Sequence, residues 1–161
     1  MKTVESKYII FDLDNCLSDD GWRIPYIDWA YEDPTARYHR YHLLAAWDEV
    51  GNGQLFESSP HHVVVFTARP QAYVAITNEW LRRSGIEPVA VYMRPPGDHT
   101  HSATLKRRFL YRFFELFQCG PEQVECAYDD RPDVVKMFKA EGVNAHLTKL
   151  HTVCAYTNPN K

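Results

Sequence analysis

Short apolar runs alternate with longer amphipathic stretches along the chain. Tyr8-Ile9-Ile10-Phe11, Val63-Val64-Val65-Phe66, Val89 to Met93, Val124 to Tyr128 and a weaker Ala145 to Leu147 are continuous runs rich in β-branched and aromatic residues. Such runs suit strands covered on both faces, as in a parallel sheet. Between them the spacing predicts helices over Gln71 to Ser84, Thr104 to Gln118 and Pro132 to Glu141. The first carries Val74, Ile76, Trp80 and Leu81 and stops at Gly85. The second sets Leu105, Phe109, Phe113 and Leu116 in one stripe at steps of three and four. The third begins on Pro132 and stops at Gly142.

This alternation implies right-handed crossovers and a three-layer, Rossmann-like α/β fold around a parallel sheet. The stretch Ser18 to His62 breaks the rhythm. It is rich in Trp and Tyr, with one predicted helix at roughly Pro34 to Val50. It reads as a small cap insertion after the first strand, covering the site within a single domain over 1–161.

Composition narrows the class. A chain of 161 residues supports one domain with a real core, and 45% hydrophobic with 24% charged residues excludes wholesale disorder. No apolar run approaches the ~18 residues of a membrane-spanning helix. The polar stretch Met1 to Lys7 runs straight into the first strand and does not read as a signal peptide. Net charge −3 and a pI near 6.2 argue against coating nucleic acid through bulk positive charge, while a local basic face stays open. Cys16, Cys119, Cys126 and Cys154 form no CxxC pair, which points to a reduced, cytoplasmic protein without zinc.

The most informative stretch is Ile9-Ile10-Phe11-Asp12-Leu13-Asp14-Asn15-Cys16-Leu17. Ligands of open α/β sheets gather at the carboxyl ends of strands, where Asp12 would emerge. The bland alternative is a turn, which Asp and Asn also favour. Three further positions favour function. Thr67 follows the second strand in Phe66-Thr67-Ala68-Arg69, Lys106 lies on the helix before the fourth, and Asp129-Asp130 close the fourth. Each has a plainer use as a helix cap or solvated surface. Together they form an ordered series of acid pair, hydroxyl, lysine and acid pair.

That series resembles the four motifs of the haloacid dehalogenase-like (HAD) phosphatase superfamily across nearly the whole chain. Within it, the chain is most similar to the 3′-phosphatase domain of phage polynucleotide kinase. Arg23, eleven residues beyond Asp12, stands where that family has an active-site arginine. Arg69 in Phe66-Thr67-Ala68-Arg69 takes the place of a second, Gly97-Asp98 resembles a Gly-Asp ahead of the basic helix, and Ala127 to Arg131 resembles the closing acid segment. Two departures stand out. Asn15-Cys16 replaces the usual Gly-Thr, and Asn tolerates the positive φ such a turn needs. No GxxxxGK[ST] loop occurs, so a stand-alone phosphatase without the kinase half is implied.

The resemblance implies a chemistry. Asp12 would attack phosphorus and form an aspartyl-phosphate, and Asp14 would protonate the leaving alkoxide and then activate water. Thr67 would donate to a phosphoryl oxygen and Lys106 would balance charge. Mg²⁺ would be held by Asp12, Asp130 and the backbone carbonyl of Asp14, with Asp129 either a ligand or the orienter of a bound water. An acid at Asp14 favours an oxygen leaving group over halide.

Substrate candidates follow from the same region. Arg23 and Arg69 can fork onto phosphate oxygens. Trp22, with Tyr26, Trp29 and Tyr31, either stacks on a nucleobase or forms a small core holding the insertion, the second reading suiting Trp29 better. Arg107, Arg108 and Arg112 either touch a nucleic-acid backbone or form the wet face of their helix. Asp98 either pairs with an arginine such as Arg69 or caps a turn. His99 and His101, an HxH with no Cys or His pair to complete a zinc site, suit a polar loop. His61-His62 and the run Tyr38-His39-Arg40-Tyr41-His42 suit packing and surface roles, and the helix of that run, as part of the covering segment, can also border the substrate. The expected substrate is a 3′-phosphate end of nucleic acid or a nucleotide, met in a host cytoplasm if the protein is phage-encoded. The alternatives are a 5′-nucleotidase for deoxynucleoside monophosphates and a non-catalytic nucleic-acid-binding module on the same fold.

Overall fold

A computed structural model describes Glu5 and residues 7–152. Cys154 and the rest of the terminal segment lie outside these described residues. Strand β1 (Tyr8–Phe11) runs through the centre. The sheet also holds β4 (His62–Pro70), β5 (Ala90–Arg94), β6 (Val124–Asp129) and β7 (Ala145–Leu147), in the order β5-β4-β1-β6-β7 with every pairing parallel. These are the five apolar runs of the sequence.

Side chains alternate across β1, so its two faces seed two cores. Ile10 joins Val64, Phe66, Leu105, Phe109 and Phe138 on the face covered by helices α5 (Ser102–Phe117) and α6 (Pro132–Ala140). Ile9 and Phe11 join Leu13, Val65, Trp80 and Leu81 on the face covered by α4 (Val74–Arg83). Burying one such side chain completely contributes ~1.5–3 kcal/mol.

Two details of the helices differ from expectation. Residues 71–73 form a separate 3-10 turn ahead of α4. On α5 the stripe runs 105, 109, 113 and on to Phe117, while Leu116 is exposed. Steps of four hold that stripe over the core, and a step of three from Phe113 rotates off it. Gly85 and Gly142 take positive φ just beyond α4 and α6, as the stop signals require.

The stretch after β1 is not built on one long helix. A two-residue strand β2 (Ser18–Asp19) pairs antiparallel with β3 (Glu49–Val50), pinching the excursion at its base. Between them lie a 3-10 segment (Gly21–Tyr26), α1 (Pro34–Arg37), α2 (His39–Leu43) and a 3-10 turn (Ala45–Trp47). The predicted 34–50 helix breaks at Tyr38 (φ −95, ψ 3), whose ring packs against Trp29 and Tyr41 in a small cluster of its own. Beyond Val50 the chain rejoins the core, where α3 (Gln54–Glu57) brings Leu55 and Phe56 against the Phe11 side of the sheet.

This topology determines where a site can form. From β1 the chain moves outward through β4 and β5, then crosses back to β6 on the other side. The crevice at the carboxyl end of β1, between β4 and β6, is the switch point where ligands bind in such sheets.

Candidate active site

Asp12 follows β1 directly, and its N–H bonds to the Tyr128 carbonyl of β6 at 2.9 Å. That bond carries the sheet direction one residue further and turns the Asp12 carboxylate toward the end of β6. There Asp12, Asp129 and Asp130 place one carboxylate oxygen each within 4.8 Å of one another. Lys106, buried on α5, reaches into the group and donates to Asp12 Oδ1 at 2.8 Å and Asp129 Oδ2 at 2.5 Å. Asp12 and Asp129 neutralise the ammonium and hold its pKa above the usual lysine value despite burial.

One ammonium is too little for three crowded carboxylates, two of them buried and Asp130 half-buried. Burial, followed by the charges of Asp12 and Asp129, pushes the Asp130 carboxyl up to about 9. Burial raises Asp129 to about 6, with Lys106 opposing. Asp129 is further occupied by the Arg131 N–H at 3.0 Å, whereas Asp130 receives the Asn15 amide at 3.3 Å. A dense, oxygen-only, under-neutralised set fits a hard divalent cation. Asp12 and Asp130 have the more open carboxylates of the three.

Asp14 faces the other way. The turn after Asp12 closes through Cys16 N–H to the Leu13 carbonyl, with Asn15 at φ 59. Asp14 then meets two buried arginines: Arg69 Nη2 donates to Oδ1 at 2.6 Å, Arg69 Nε approaches both oxygens at 3.1 Å, and Arg23 Nη2 donates to Oδ1 at 2.7 Å. Burial alone would raise the Asp14 pKa, but the Arg69 and Arg23 guanidinia outweigh it and hold the carboxyl well below the usual range. Thr67 is buried within β4, three residues before its last, where the sequence suggests a position after the strand, and its Oγ1 accepts from the Arg69 N–H at 3.2 Å.

Both arginines are committed to protein partners instead of forking outward. Arg23 binds Asp48 at both ends, Nε to Oδ1 at 2.7 Å and Nη2 to Oδ2 at 2.6 Å, and donates from Nη1 to the Tyr41 carbonyl at 2.8 Å. Trp22, 43% exposed, donates its indole N–H to the same Asp48 at 2.9 Å. Trp29 packs on Tyr38, so the bland reading holds for it. Tyr26 and Tyr31 are exposed.

Asp98 does not pair with Arg69. It accepts from the Thr100 N–H at 2.8 Å and lies 3.4 Å from Arg108, and the Thr100 side chain, then its N–H, hold the Asp98 pKa low. The other two arginines of that helix also meet acids: Arg107 with Glu141 at 2.9 Å and Arg112 with Glu115 at 3.7 Å. Their positive charge is largely balanced locally. His101 lies between Arg131 and Asp133.

A cavity of about 320 Å³ opens beside Asp14, under the excursion and against the loop after β5. Asp14, Arg69, Arg94 and Asp98 reach it, and Tyr38, His42 and Tyr73 wall it. His42 is nine-tenths buried, and its Nδ1 has no hydrogen-bond partner among the described residues. Burial pushes its pKa down to about 3, with Asp14 opposing, so the imidazole is neutral near pH 7.

Sequence reasoning missed Asp48 and the bridging role of Asn15, and it named His42 only within a run read as packing or as a border of the substrate. Asp48 has no motif around it, and its partner Arg23 lies on the far side of the excursion. Asn15 donates to Asp130 and the His151 carbonyl, while its own carbonyl oxygen accepts from the Leu150 and His151 N–H groups. Its place as a Gly substitute in the turn was the one available signal.

Known proteins resemble this chain in family and in fold. The model of the polynucleotide kinase PNKP phosphatase domain matches residues 6–148. A chain of the Pnkp1/Rnl/Hen1 RNA repair complex superposes with a TM-score of 0.63 at 22% identity, covering 90% of this chain and 43% of that one. The present chain thus spans less than half the length of that relative. A haloacid dehalogenase-like hydrolase from Streptococcus pneumoniae superposes with a TM-score of 0.60 at 14% identity, covering 87% of this chain and 83% of the other. A HAD-superfamily hydrolase of subfamily IA from Geobacter sulfurreducens gives 0.57 at 13% identity, with 87% and 88% covered. No curated protein matches. No helix among the described residues is long and apolar enough to cross a membrane. With its ordered motifs gathered at one sheet edge and its family model matched from residue 6 to residue 148, the chain belongs to the polynucleotide kinase PNKP phosphatase-domain family and is a HAD-like phosphatase.

Proposed function

We propose that this phosphatase is a Mg²⁺-dependent phosphomonoesterase that works through an aspartyl-phosphate on Asp12 and acts on 3′-phosphate ends of nucleic acid or on nucleotides. The observation that carries the reading is the convergence of Asp12, Lys106, Asp129 and Asp130 at the end of β1 and β6. The RNA repair complex containing the similar chain lends support to a nucleic-acid end as substrate. The catalytic unit is one domain, capped by the segment between β2 and β3.

In this reading an Asp12 oxygen bonds to phosphorus as the ester P–O bond breaks. The departing alkoxide takes a proton from Asp14, and a water then attacks the aspartyl-phosphate, giving its proton to Asp14 and releasing phosphate. Lys106 orients Asp12 and offsets the charge shared with phosphate, and Thr67 donates to a phosphoryl oxygen. Asp12 and Asp130, with the Asp14 backbone carbonyl, hold Mg²⁺, which supplies further neutralisation of the phosphoryl oxygens when bound. Arg23 positions Asp14, Trp22 positions the Asp48 that anchors Arg23, and Asp98 borders the leaving group. Arg69 has two uses. It holds Asp14 in the ligand-free protein, and an arriving phosphate dianion competes for its donors. That competition, with the added negative charge, raises the proton affinity of Asp14 when an acid is needed.

Phosphate release from a 3′-phosphorylated oligonucleotide and from 3′- and 5′-deoxynucleoside monophosphates, with Mg²⁺ and with chelator, tests the proposal. Release should require Mg²⁺ and fall to background in Asp12→Asn. Substantial activity in that variant would sink the nucleophile assignment.

A further inference from the structure

The cavity beside Asp14 is not the phosphate site itself, because neither Asp12 nor Lys106 lines it. It lies on the side of Asp14, the group that the reading above assigns to protonate the leaving oxygen. Whatever fills it therefore belongs to the leaving alcohol. Its chemistry is unlike that of a sugar-phosphate pocket. Pro34, Pro70, Pro95 and Pro96 line it together with Tyr38, Tyr73 and His42. His42 and Tyr73 have ring centroids 4.9 Å apart at 36°, so they form a continuous wall. Tyr73 is fixed from behind by its hydroxyl, 2.7 Å from His39 Nδ1.

The charged side chains of the lining are Asp14 and Arg69, beside the reacting end, with Arg94 and Asp98, and Thr35, His99 and Ser102 add further polar groups. A wholly polar alcohol would leave the aromatic and proline walls against water. A planar, apolar-faced group covers them. At about 320 Å³ the cavity stands at the lower end of the ~300–1,000 Å³ of small-ligand sites, room for one nucleoside and not for a run of nucleotides. His42 completes the case. His42 lines the cavity, its Nδ1 is shielded from solvent and has no hydrogen-bond partner among the described residues, and nucleosides carry donors and acceptors around their rim.

We propose that this cavity is a one-nucleoside subsite in which His42, Tyr38 and Tyr73 receive the base of the terminal nucleotide, so that the leaving group is selected by its base and not by phosphate alone. The inference rests on the phosphomonoesterase reading and deepens it. Stacking then replaces the exposed Trp22 as the means of base contact.

The test compares kcat/KM for 3′-dAMP, 5′-dAMP and the corresponding base-less deoxyribose 3- and 5-phosphates on the unaltered protein with Mg²⁺. One nucleotide isomer should exceed its base-less analogue by about 5- to 150-fold, the factor matching ~1–3 kcal/mol for one stacked base. Which isomer does so separates a 3′- from a 5′-leaving nucleoside. Deoxyadenosine should inhibit competitively at concentrations where deoxyribose does not. In His42→Ala and, separately, Tyr73→Leu, the ratio of nucleotide to base-less ester should fall toward one. Equal turnover of the base-less esters, with no inhibition by deoxyadenosine, would overturn the subsite while leaving the phosphatase chemistry standing. Absence of Asp12-dependent turnover on all four esters would instead overturn the reading beneath it. The inhibition arm needs no variant, so a misfolded substitution cannot rescue the idea.

Discussion

Asp48 offers the sharpest test of how the site is held together. Its carboxylate is buried and accepts from Arg23 twice, from Trp22 and from the Ser18 hydroxyl, and Arg69 Nη2 lies 3.7 Å away. Two guanidinia and two carboxylates, Arg23 and Arg69 with Asp14 and Asp48, sum to zero formal charge. Asp48→Ala leaves a net positive charge where Arg23 has no exposure and Arg69 only 1%. Removing one partner of a buried pair costs about 3–5 kcal/mol, most of it the unpaired charge left behind. For a chain of this size that is a fall in Tm of about 6–20 °C. Urea melts of Asp48→Ala, of Arg23→Met and of the Arg23→Met/Asp48→Ala double variant measure it directly. The double variant restores neutrality, with Arg69 and Asp14 still paired, so it should lose less stability than Asp48→Ala alone. A loss under ~1 kcal/mol in Asp48→Ala, or a double variant equal to the sum of the singles, would refute the charge argument.

Other outcomes follow from the same geometry. Lys106→Met should lower phosphate release by ~10²–10³-fold, the scale of losing one positioned charge-stabilising group, measured at saturating Mg²⁺. His42 titrates near 3 when folded and near 6.5 when unfolded, so the unfolded chain binds more protons in between and stability falls as pH drops through that window. Urea melts at pH 4.5 and 7 should therefore differ less in His42→Gln than in the parent; the depressed Asp14 adds its own loss only below about pH 4, outside the comparison. Asn15→Gly keeps the left-handed turn but removes the bridge from Asp130 to the Leu150–His151 backbone, so trypsin should cut at Lys149 faster. Asn15→Ala should cost a further ~1–2 kcal/mol through its backbone at φ 59, read by the same melts.

The sheet was legible because its strands are covered on both faces, so each appears as an unbroken apolar run. The acids and hydroxyl at or near the strand ends were legible because a parallel sheet delivers such positions to one rim. The excursion was harder. Tyr38 interrupts the 34–50 helix for the sake of packing against Trp29 and Tyr41, a tertiary preference that helical periodicity does not register. Asp48 and Arg23 are brought together by a ribbon two residues long on each side, too short to leave a pattern. The fork of Arg23 and Arg69 onto phosphate was the natural reading of two arginines near acids. Their burial against Asp14 and Asp48 shows that, in the ligand-free fold, neighbouring carboxylates claim them first.

One residue, Leu13, separates Asp12 from Asp14, yet they belong to opposite electrostatic settings, and the backbone turn explains why. Asp12 still follows the strand direction, tied to Tyr128, and so enters the group of carboxylates fed by β6. After Leu13 the chain doubles back through Asn15 in the left-handed region, and Asp14 swings toward β4 and the excursion, where the arginines are. The first setting, three carboxylates and one ammonium, has a formal charge of −2 that burial does not support, and the raised Asp130 is the consequence. A divalent ion matches that deficit and a monovalent one leaves half of it. The second setting is already neutral, so a phosphate dianion approaching Arg69 perturbs it toward negative charge and toward holding a proton on Asp14. In the proposed mechanism one tight turn would thereby give nucleophile and acid different charge environments, as a reaction needing an ionised carboxylate beside a protonated one requires.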